Sequence, residues 1–271
     1  MWCLLYKLVV IDIDGTLLND DQQVTVRTKR ALTEVLDKGI KVVFASGRSQ
    51  HGIFKVIDEL GIDTYLDYYI CFNGANVINR KTQECISKNI LKGIDLQEIY
   101  NWVNESGGFL YAFDHNSIVT AYHNEYATLE AAKNKLQVVK KDITSVNMQE
   151  DIFKIVIANR SEELDKLEKD IPNYFFNKYS IVRSHNNNLE FLNPFANKAK
   201  ALNVIANSLE LSLNEIVAFG DAGNDIEMIK IAGKGIAMGN AFHDVKEIAD
   251  YITDTNNNDG VAKALEKFVL I

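Results

Sequence analysis

Short apolar β-rich runs alternate with segments of helical period along this chain, and that rhythm leaves few folds open. Tyr6–Ile11, Lys41–Ala45, Tyr68–Phe72 and Ile216–Phe219 are too apolar for a sheet with one wet face, so they read as strands buried on both sides. Between the first two, Ala31, Leu32, Val35 and Leu36 fall on one helical face and Gly39 supplies the stop. Between the next two, Ile53, Phe54, Ile57 and Leu60 do the same, with Gly61 ending the helix. Strand–helix–strand units of this kind connect right-handed and build a parallel sheet. The length, 271 residues with 47% apolar, supplies a core for one large domain or two modest ones.

The middle of the chain changes character. Leu96, Ile99, Tyr100 and Val103 make a helix stopped by Gly107-Gly108. Phe109–Phe113 and Ile118–Tyr122 flank the polar turn Asp114-His115-Asn116-Ser117, which predicts a hairpin. Phe153–Ala158 reads as a strand, and Ser161 followed by Glu162 and Glu163 as a helix start. The expectation is an α+β domain over residues 83–187 inserted into a discontinuous α/β core of residues 1–82 and 188–271. Its exit is the polar stretch His185–Asn188, after which Leu202, Ile205, Ala206 and Leu209 resume the helical period. Asn256-Asn257-Asn258-Asp259-Gly260 reads as a surface loop before the last helix.

Four segments carry chemistry. Leu8–Leu17 places Asp12 and Asp14 two apart at the carboxyl end of a buried strand, where ligands bind in open α/β sheets. Unpaired carboxylates are costly there, and a bound cation relieves the cost. All-oxygen donors favour Mg²⁺ over Zn²⁺. Gly15 permits the sharp turn that follows. Ala45-Ser46-Gly47-Arg48 ends the next strand in a hydroxyl and a glycine, a turn suited to a phosphate oxygen. Lys198 opens a helix, and a positive charge is expected where a dianionic phosphate meets a carboxylate. Gly220-Asp221-Ala222-Gly223-Asn224-Asp225 adds two carboxylates and an amide after a fourth strand, with Asp221 placed to complete a metal site.

The order of these segments, and the insertion between the second and third, resemble the haloacid dehalogenase superfamily, most closely its Cof-type phosphatases with a class IIB cap. Asn73-Gly74-Ala75, Ala237–Ala241, Ala249–Thr253 and Asp259-Gly260-Val261 resemble the same group. The resemblance implies a Rossmann-like parallel sheet with helices on both faces and an inserted α/β (α+β) cap. It also implies hydrolysis of small phosphorylated metabolites, sugar phosphates above all, in two steps. Asp12 becomes an aspartyl phosphate. Asp14 protonates the leaving alcohol and then takes a proton from the hydrolytic water. Mg²⁺ falls to Asp12, Asp14 through its backbone carbonyl, and Asp221, while Asp225 is either a further ligand through water or an anchor for Lys198. Ser46 and Lys198 hold phosphoryl oxygens, and Asn224 touches phosphate or a metal-bound water. Gly47 belongs to the same substrate-binding turn and, like Thr16, shapes its loop. Two other readings stay open: a phosphomannomutase-like phosphomutase, and a sugar-phosphate-binding protein without turnover.

Other classes lack support. A formal charge of −8 without a basic run disfavours nucleic acid as a partner. No apolar run approaches about eighteen residues, so no membrane span is expected. Cys3, Cys71 and Cys85 have no metal-ligand spacing and imply no disulfide framework, consistent with a reducing cytoplasm. The apolar start, Met1–Ile11, reads as strand rather than signal peptide. His51, His115, His123, His185 and His243 form no zinc set. His115, in the hairpin turn of the cap, is the one a closing cap would carry to a leaving group. Arg48 and Asn73 could face substrate from the core side. No GxGxxG, P-loop or G-x-S-x-G segment occurs. The expected partner is a small phosphorylated metabolite, and the sequence is compatible with a monomer.

Overall fold

The computed structural model describes residues 5–61 and 66–271. The first strands are β1 (Leu8–Asp12), β2 (Lys41–Ala45), β3 (Tyr68–Cys71), β4 (Asn76–Asn79) and β5 (Cys85–Lys88). The middle of the chain adds β6 (Leu91–Lys92), β7 (Phe109–Phe113), β8 (Ser117–Thr120), β9 (Gln137–Lys140), β10 (Asp151–Ile152), β11 (Lys154–Ala158), β12 (Ser180–His185) and β13 (Asn188–Leu192). The last strands are β14 (Ile216–Gly220), β15 (Lys234–Ala237) and β16 (Tyr251–Ile252). Each apolar run read as a strand forms one. The short β16 forms one sheet edge with β15 beside it, and both carry too little periodic signal to stand out.

The main sheet has the order β16-β15-β14-β1-β2-β3-β4-β5. It is parallel from β16 through β3, and β4 turns back antiparallel on β3. Leu8 and Val10 pack with Leu202, Ile205 and Met228 on one face. Val9 and Ile11 point to the other face by strand alternation and are equally buried. Helix Val26–Asp37 packs on β2 and on helix Gly260–Phe268. Both faces are therefore covered, which is why these strands read as unbroken apolar runs. Thr25 caps helix Val26–Asp37 through its side chain, and Gly61, at φ +69°, ends helix Gln50–Leu60.

The chain divides into two compact units, Met1–Ser87 with Asn197–Ile271, and Lys88–Ala196. In the inserted unit the order β12-β13-β11-β7-β8-β9 is antiparallel except for β8 and β9. Helix Glu125–Asn134 makes the crossover that this one parallel pair requires. One sheet face (Leu110, Ala112, Ile155, Phe191) packs on Leu96, Ile99, Leu164 and Phe175 from the helices. The alternate positions Lys154 and Glu190 are buried with Lys154 Nζ 2.9 Å from Glu190 Oε1 and 5.0 Å from the Phe113 ring centre.

Some sequence expectations shift. His185–Asn188, expected as the exit from the insert, is the tight connection of a hairpin: His185 pairs with Asn188, so β13 belongs to the inserted sheet. The division falls at Asn197 because β13 has its partners in β11 and β12. The predicted hairpin turn is an Asx turn, Asp114 accepting from the amides of Asn116 and Ser117. His115 lies in it, edge-on to Phe153 and 3.5 Å from Asp151. Cys71 is buried, and burial pushes its thiol up; Cys3 lies outside the described residues. Among the described residues no helix is long and apolar enough to cross a membrane.

Candidate active site

The adjacent parallel strands β14, β1, β2 and β3 bring their carboxyl ends to one sheet edge. Asp12 is the last residue of β1, Ser46 follows β2, Phe72-Asn73-Gly74 follows β3, and Asp221 follows β14. Residues scattered through the sequence therefore meet for a topological reason.

Lys198 is the hub. It is the first residue of helix Lys198–Ser208, and its fully buried side chain donates to Asp12 Oδ1 at 2.5 Å and Asp225 Oδ1 at 2.7 Å. Asn197 caps the helix by accepting from the amides of Ala199 and Lys200. Its backbone comes so close to Gly74 that a Cβ there would lie 2.3 Å from the Asn197 carbonyl, and Gly74 has φ +97°. Only glycine serves at that position. Phe72 and Asn73, also at positive φ, precede it. A bulky residue in the left-handed region is unusual, and such strain collects at functional sites.

Asp225 has both oxygens engaged, Oδ1 by Lys198 and Oδ2 by the amides of Asp221 and Ala222 at 3.1 Å. The bond to Lys198 is the contact an anchoring role requires, and Asp225 also lies in the acidic cluster with Asp12 and Asp221. Asp221 Oδ1 accepts from the Thr16 hydroxyl at 2.8 Å. Gly15, at φ +79°, lies so close that a Cβ would fall 2.5 Å from Asp221 Oδ2.

Asp14 is held differently. Arg48, 5% exposed, donates from Nε to Asp14 Oδ2 at 2.8 Å and from Nη2 to Oδ1 at 2.7 Å, with Nη2 also 2.9 Å from Gln22 Oε1. Ser46 is buried and its Oγ accepts from the Arg48 amide at 3.1 Å. The Asn73 amide packs against Gly47 and accepts from Asn224 Nδ2 at 2.9 Å. Asn73 thus ties the Ser46-Gly47 and Gly223-Asn224 turns together. The sequence offered Asn73 as a residue that could face substrate and as part of Asn73-Gly74-Ala75, but nothing in its spacing announced the bond to Asn224.

Electrostatics separates the acids. Burial pushes the Asp12 carboxyl well above the usual aspartate range; Lys198 opposes this, and Asp225 and Asp221 reinforce it. Burial, then Asp225, pushes Asp221 up to about 6. Burial alone would lower the Lys198 ammonium, but Asp12 and Asp225 outweigh it and hold it charged. Asp12, Asp221 and Asp225 each offer an oxygen within 4.8 Å of the others. Three carboxylates thus face one ammonium, all oxygen donors in a buried setting, and a hard cation fits that deficit.

A doubly covered parallel sheet thus carries, at the ends of two adjacent strands and in the turn that follows the second, acids of which Asp12 and Asp225 are bridged by a buried lysine. The chain belongs to the haloacid dehalogenase-like hydrolases, matching that family over residues 9–265. It is 35% identical over 268 residues to YxeH of Bacillus subtilis, covering 98% of this chain and 99% of that one. It is 33% identical over 265 residues to the 5-amino-6-(5-phospho-D-ribitylamino)uracil phosphatase YcsE of the same organism, covering 97% and 96%. In structure it is similar to the subclass IIB sugar phosphatase BT4131, with a TM-score of 0.83, 27% identity and coverage of 98% and 100%.

Proposed function

We propose that this protein is a Mg²⁺-dependent phosphatase of small phosphorylated metabolites, sugar phosphates foremost, acting through an aspartyl phosphate on Asp12. The observation that carries the reading is the buried Asp12–Lys198–Asp225 array beside Asp221. YcsE is named for a phosphoribityl compound and BT4131 for sugar phosphates, so a phosphate on a polyhydroxylated chain is the shared substrate chemistry.

In the first step an Asp12 carboxylate oxygen bonds to phosphorus while the ester P–O bond breaks, and the leaving oxygen takes a proton from Asp14. In the second, water attacks the aspartyl phosphate, gives its proton to Asp14 and releases inorganic phosphate with Asp12 restored. Lys198 fixes the Asp12 oxygen it bonds and offsets phosphoryl charge; Asp225 holds Lys198. Ser46, the Gly47 turn and Asn224, braced by Asn73, bind the remaining phosphoryl oxygens. Asp12, the Asp14 carbonyl and Asp221 would hold Mg²⁺, with Asp225 in support. Bound there, Mg²⁺ would supply positive charge that offsets the acids and the charge developing on phosphate.

Asp12→Asn tests the reading. Turnover of an aryl phosphate and of hexose phosphates should fall at least about a thousandfold with the fold intact. Wild-type product should be free phosphate, not an isomeric hexose phosphate. Undiminished activity of D12N would overturn the mechanism.

A further inference from the structure

The loop after β1 is closed by its own backbone bonds, Leu17 N to the Asp12 carbonyl at 3.2 Å and Leu18 N to the Ile13 carbonyl at 2.9 Å, and it is also gripped from outside. Asn240 Nδ2 donates to the Gly15 carbonyl at 2.8 Å. Two residues on, the amide of Phe242 donates to the Asp221 carbonyl at 3.0 Å. One turn, closed by Ala241 N to the Met238 carbonyl at 3.0 Å, therefore grips both segments that meet at the acidic centre. Asn240 is itself steadied, its Oδ1 accepting from the Asn256 amide at 2.9 Å.

Asn256 then reaches the far end of the same loop. Its Nδ2 donates to the Leu18 carbonyl at 3.0 Å and to Asp20 Oδ1 at 3.1 Å. Asn257, more exposed, closes the edge by donating to Asp20 Oδ2 at 2.8 Å and accepting from the Asp20 amide at 3.0 Å. The asparagine run that reads as a surface loop in the sequence is partly inside: Asn256 is 7% exposed. An asparagine suits this work because one amide both donates and accepts without adding charge beside the acids.

The loop so held presses on Asp221, through the Thr16 hydroxyl and the close approach of Gly15. We propose that Asn240 and Asn256 are positioning residues that set Gly15–Thr16 against Asp221, and thereby the affinity of the acidic centre for its cation. The inference rests on the reading of Asp12 and Asp221 as the cation-holding pair. Partners that orient a ligand without touching the metal commonly change its affinity by about 10- to 100-fold.

The test is calorimetric titration of the full chain with MgCl₂, without substrate, for wild type, Asn240→Ala, Asn256→Ala, Asn257→Ala and Thr16→Val, with circular dichroism to verify folding. Asn240→Ala, an exposed truncation, and Thr16→Val should each weaken Mg²⁺ binding about tenfold. Asn256→Ala should follow if it folds, and Asn257→Ala should stay within about twofold, since it touches only Asp20. Saturating Mg²⁺ should restore phosphatase turnover of N240A, which general loss of structure would not allow. Wild-type Mg²⁺ affinity in folded N240A overturns the clasp alone. No Mg²⁺ uptake by the wild-type chain overturns the metal reading and the clasp with it.

Discussion

Arg48 grips Asp14 by both carboxylate oxygens, Nε to Oδ2 at 2.8 Å and Nη2 to Oδ1 at 2.7 Å. A fork-to-fork pair of this kind is among the stronger ionic contacts. It also occupies the oxygens that the proposed proton transfers need, so Asp14 must leave the fork to work. In this arrangement Arg48 holds the proposed acid/base group in a defined place.

That relationship separates activity from stability at Asp14. Asp14→Asn keeps one acceptor but removes the charge opposite the buried guanidinium, so it should lose at least about a hundredfold in turnover and melt below wild type, though above Asp14→Ala. Asp14→Ala should lose as much activity and also destabilise by roughly 1–3 kcal/mol, because Arg48 loses its carboxylate. Equal melting temperatures for the two variants would contradict this account.

Mg²⁺ affinity should depend on pH through Asp221. Its carboxyl is pushed up to about 6, so a proton competes with the cation below that pH. Affinity should fall about tenfold per pH unit as the pH drops below 6, and Mg²⁺ binding near pH 6 should release a proton. Stability of the metal-free protein runs the other way. A raised folded pKa contributes stability present in full below the ordinary aspartate value and lost as pH rises through about 6. Stabilisation by Mg²⁺ in thermal melts should thus be larger at pH 8 than at pH 5; a pH-independent shift would argue against Asp221 as a ligand.

Two glycines with similar backbones offer a controlled comparison. Gly15 has φ +79° with Asp221 Oδ2 only 2.5 Å from an added Cβ, whereas Gly39 has φ +77° and nothing within 4 Å. Gly39→Ala should cost only the left-handed strain, about 1–2 kcal/mol, with activity unchanged. Gly15→Ala should cost that much and in addition displace the Asp221 carboxylate, weakening Mg²⁺ binding about tenfold. Chemical denaturation and calorimetry together would reveal whether the two differ as stated.

Within the inserted unit, Lys154 and Glu190 are a buried ion pair, with Ser184 Oγ 3.0 Å from the same Glu190 oxygen. Removing one partner should cost about 3–5 kcal/mol by stranding the other charge. Lys154→Met with Glu190→Leu should recover most of that loss, since apolar replacement of a whole buried pair is often neutral. A double-mutant cycle in urea measures the coupling directly, and additive losses would show that the pair is not an energetic unit.

How far the sequence could be read depended on where each signal resides. β1, β2, β3 and β14 were legible because burial on both faces demands continuous apolar runs, and Asp12, Asp14, Ser46 and Asp221 were legible because they end those runs. The boundary at residue 188 followed the polar stretch His185–Asn188; Asn188–Leu192 was not read as a strand, and only its pairing with β11 and β12 puts it in the inserted sheet. The anchoring role of Asp225 was undecidable because it depends on which oxygens the amides of Asp221 and Ala222 reach. Asn256 looked like an ordinary turn residue because asparagine runs usually are. Its burial follows from a loop more than two hundred residues upstream, as its bond to Leu18 spans 238 positions.

The bond from Lys198 to Asp12 spans 186 positions, and that from Thr16 to Asp221 spans 205. During synthesis the ribosome delivers Asp12 early and its lysine and second acid only after the whole insert has emerged. The nascent core must wait with β1 lacking its β14 neighbour, while Lys88–Ala196 already has every strand of its own six-stranded sheet. On the proposed reading, activity reports completion: a chain stalled before β14 lacks Asp221 and Asp225. By the same logic, a cut in an exposed loop of the insert would divide the protein into two halves, each carrying part of one centre and each idle without the other.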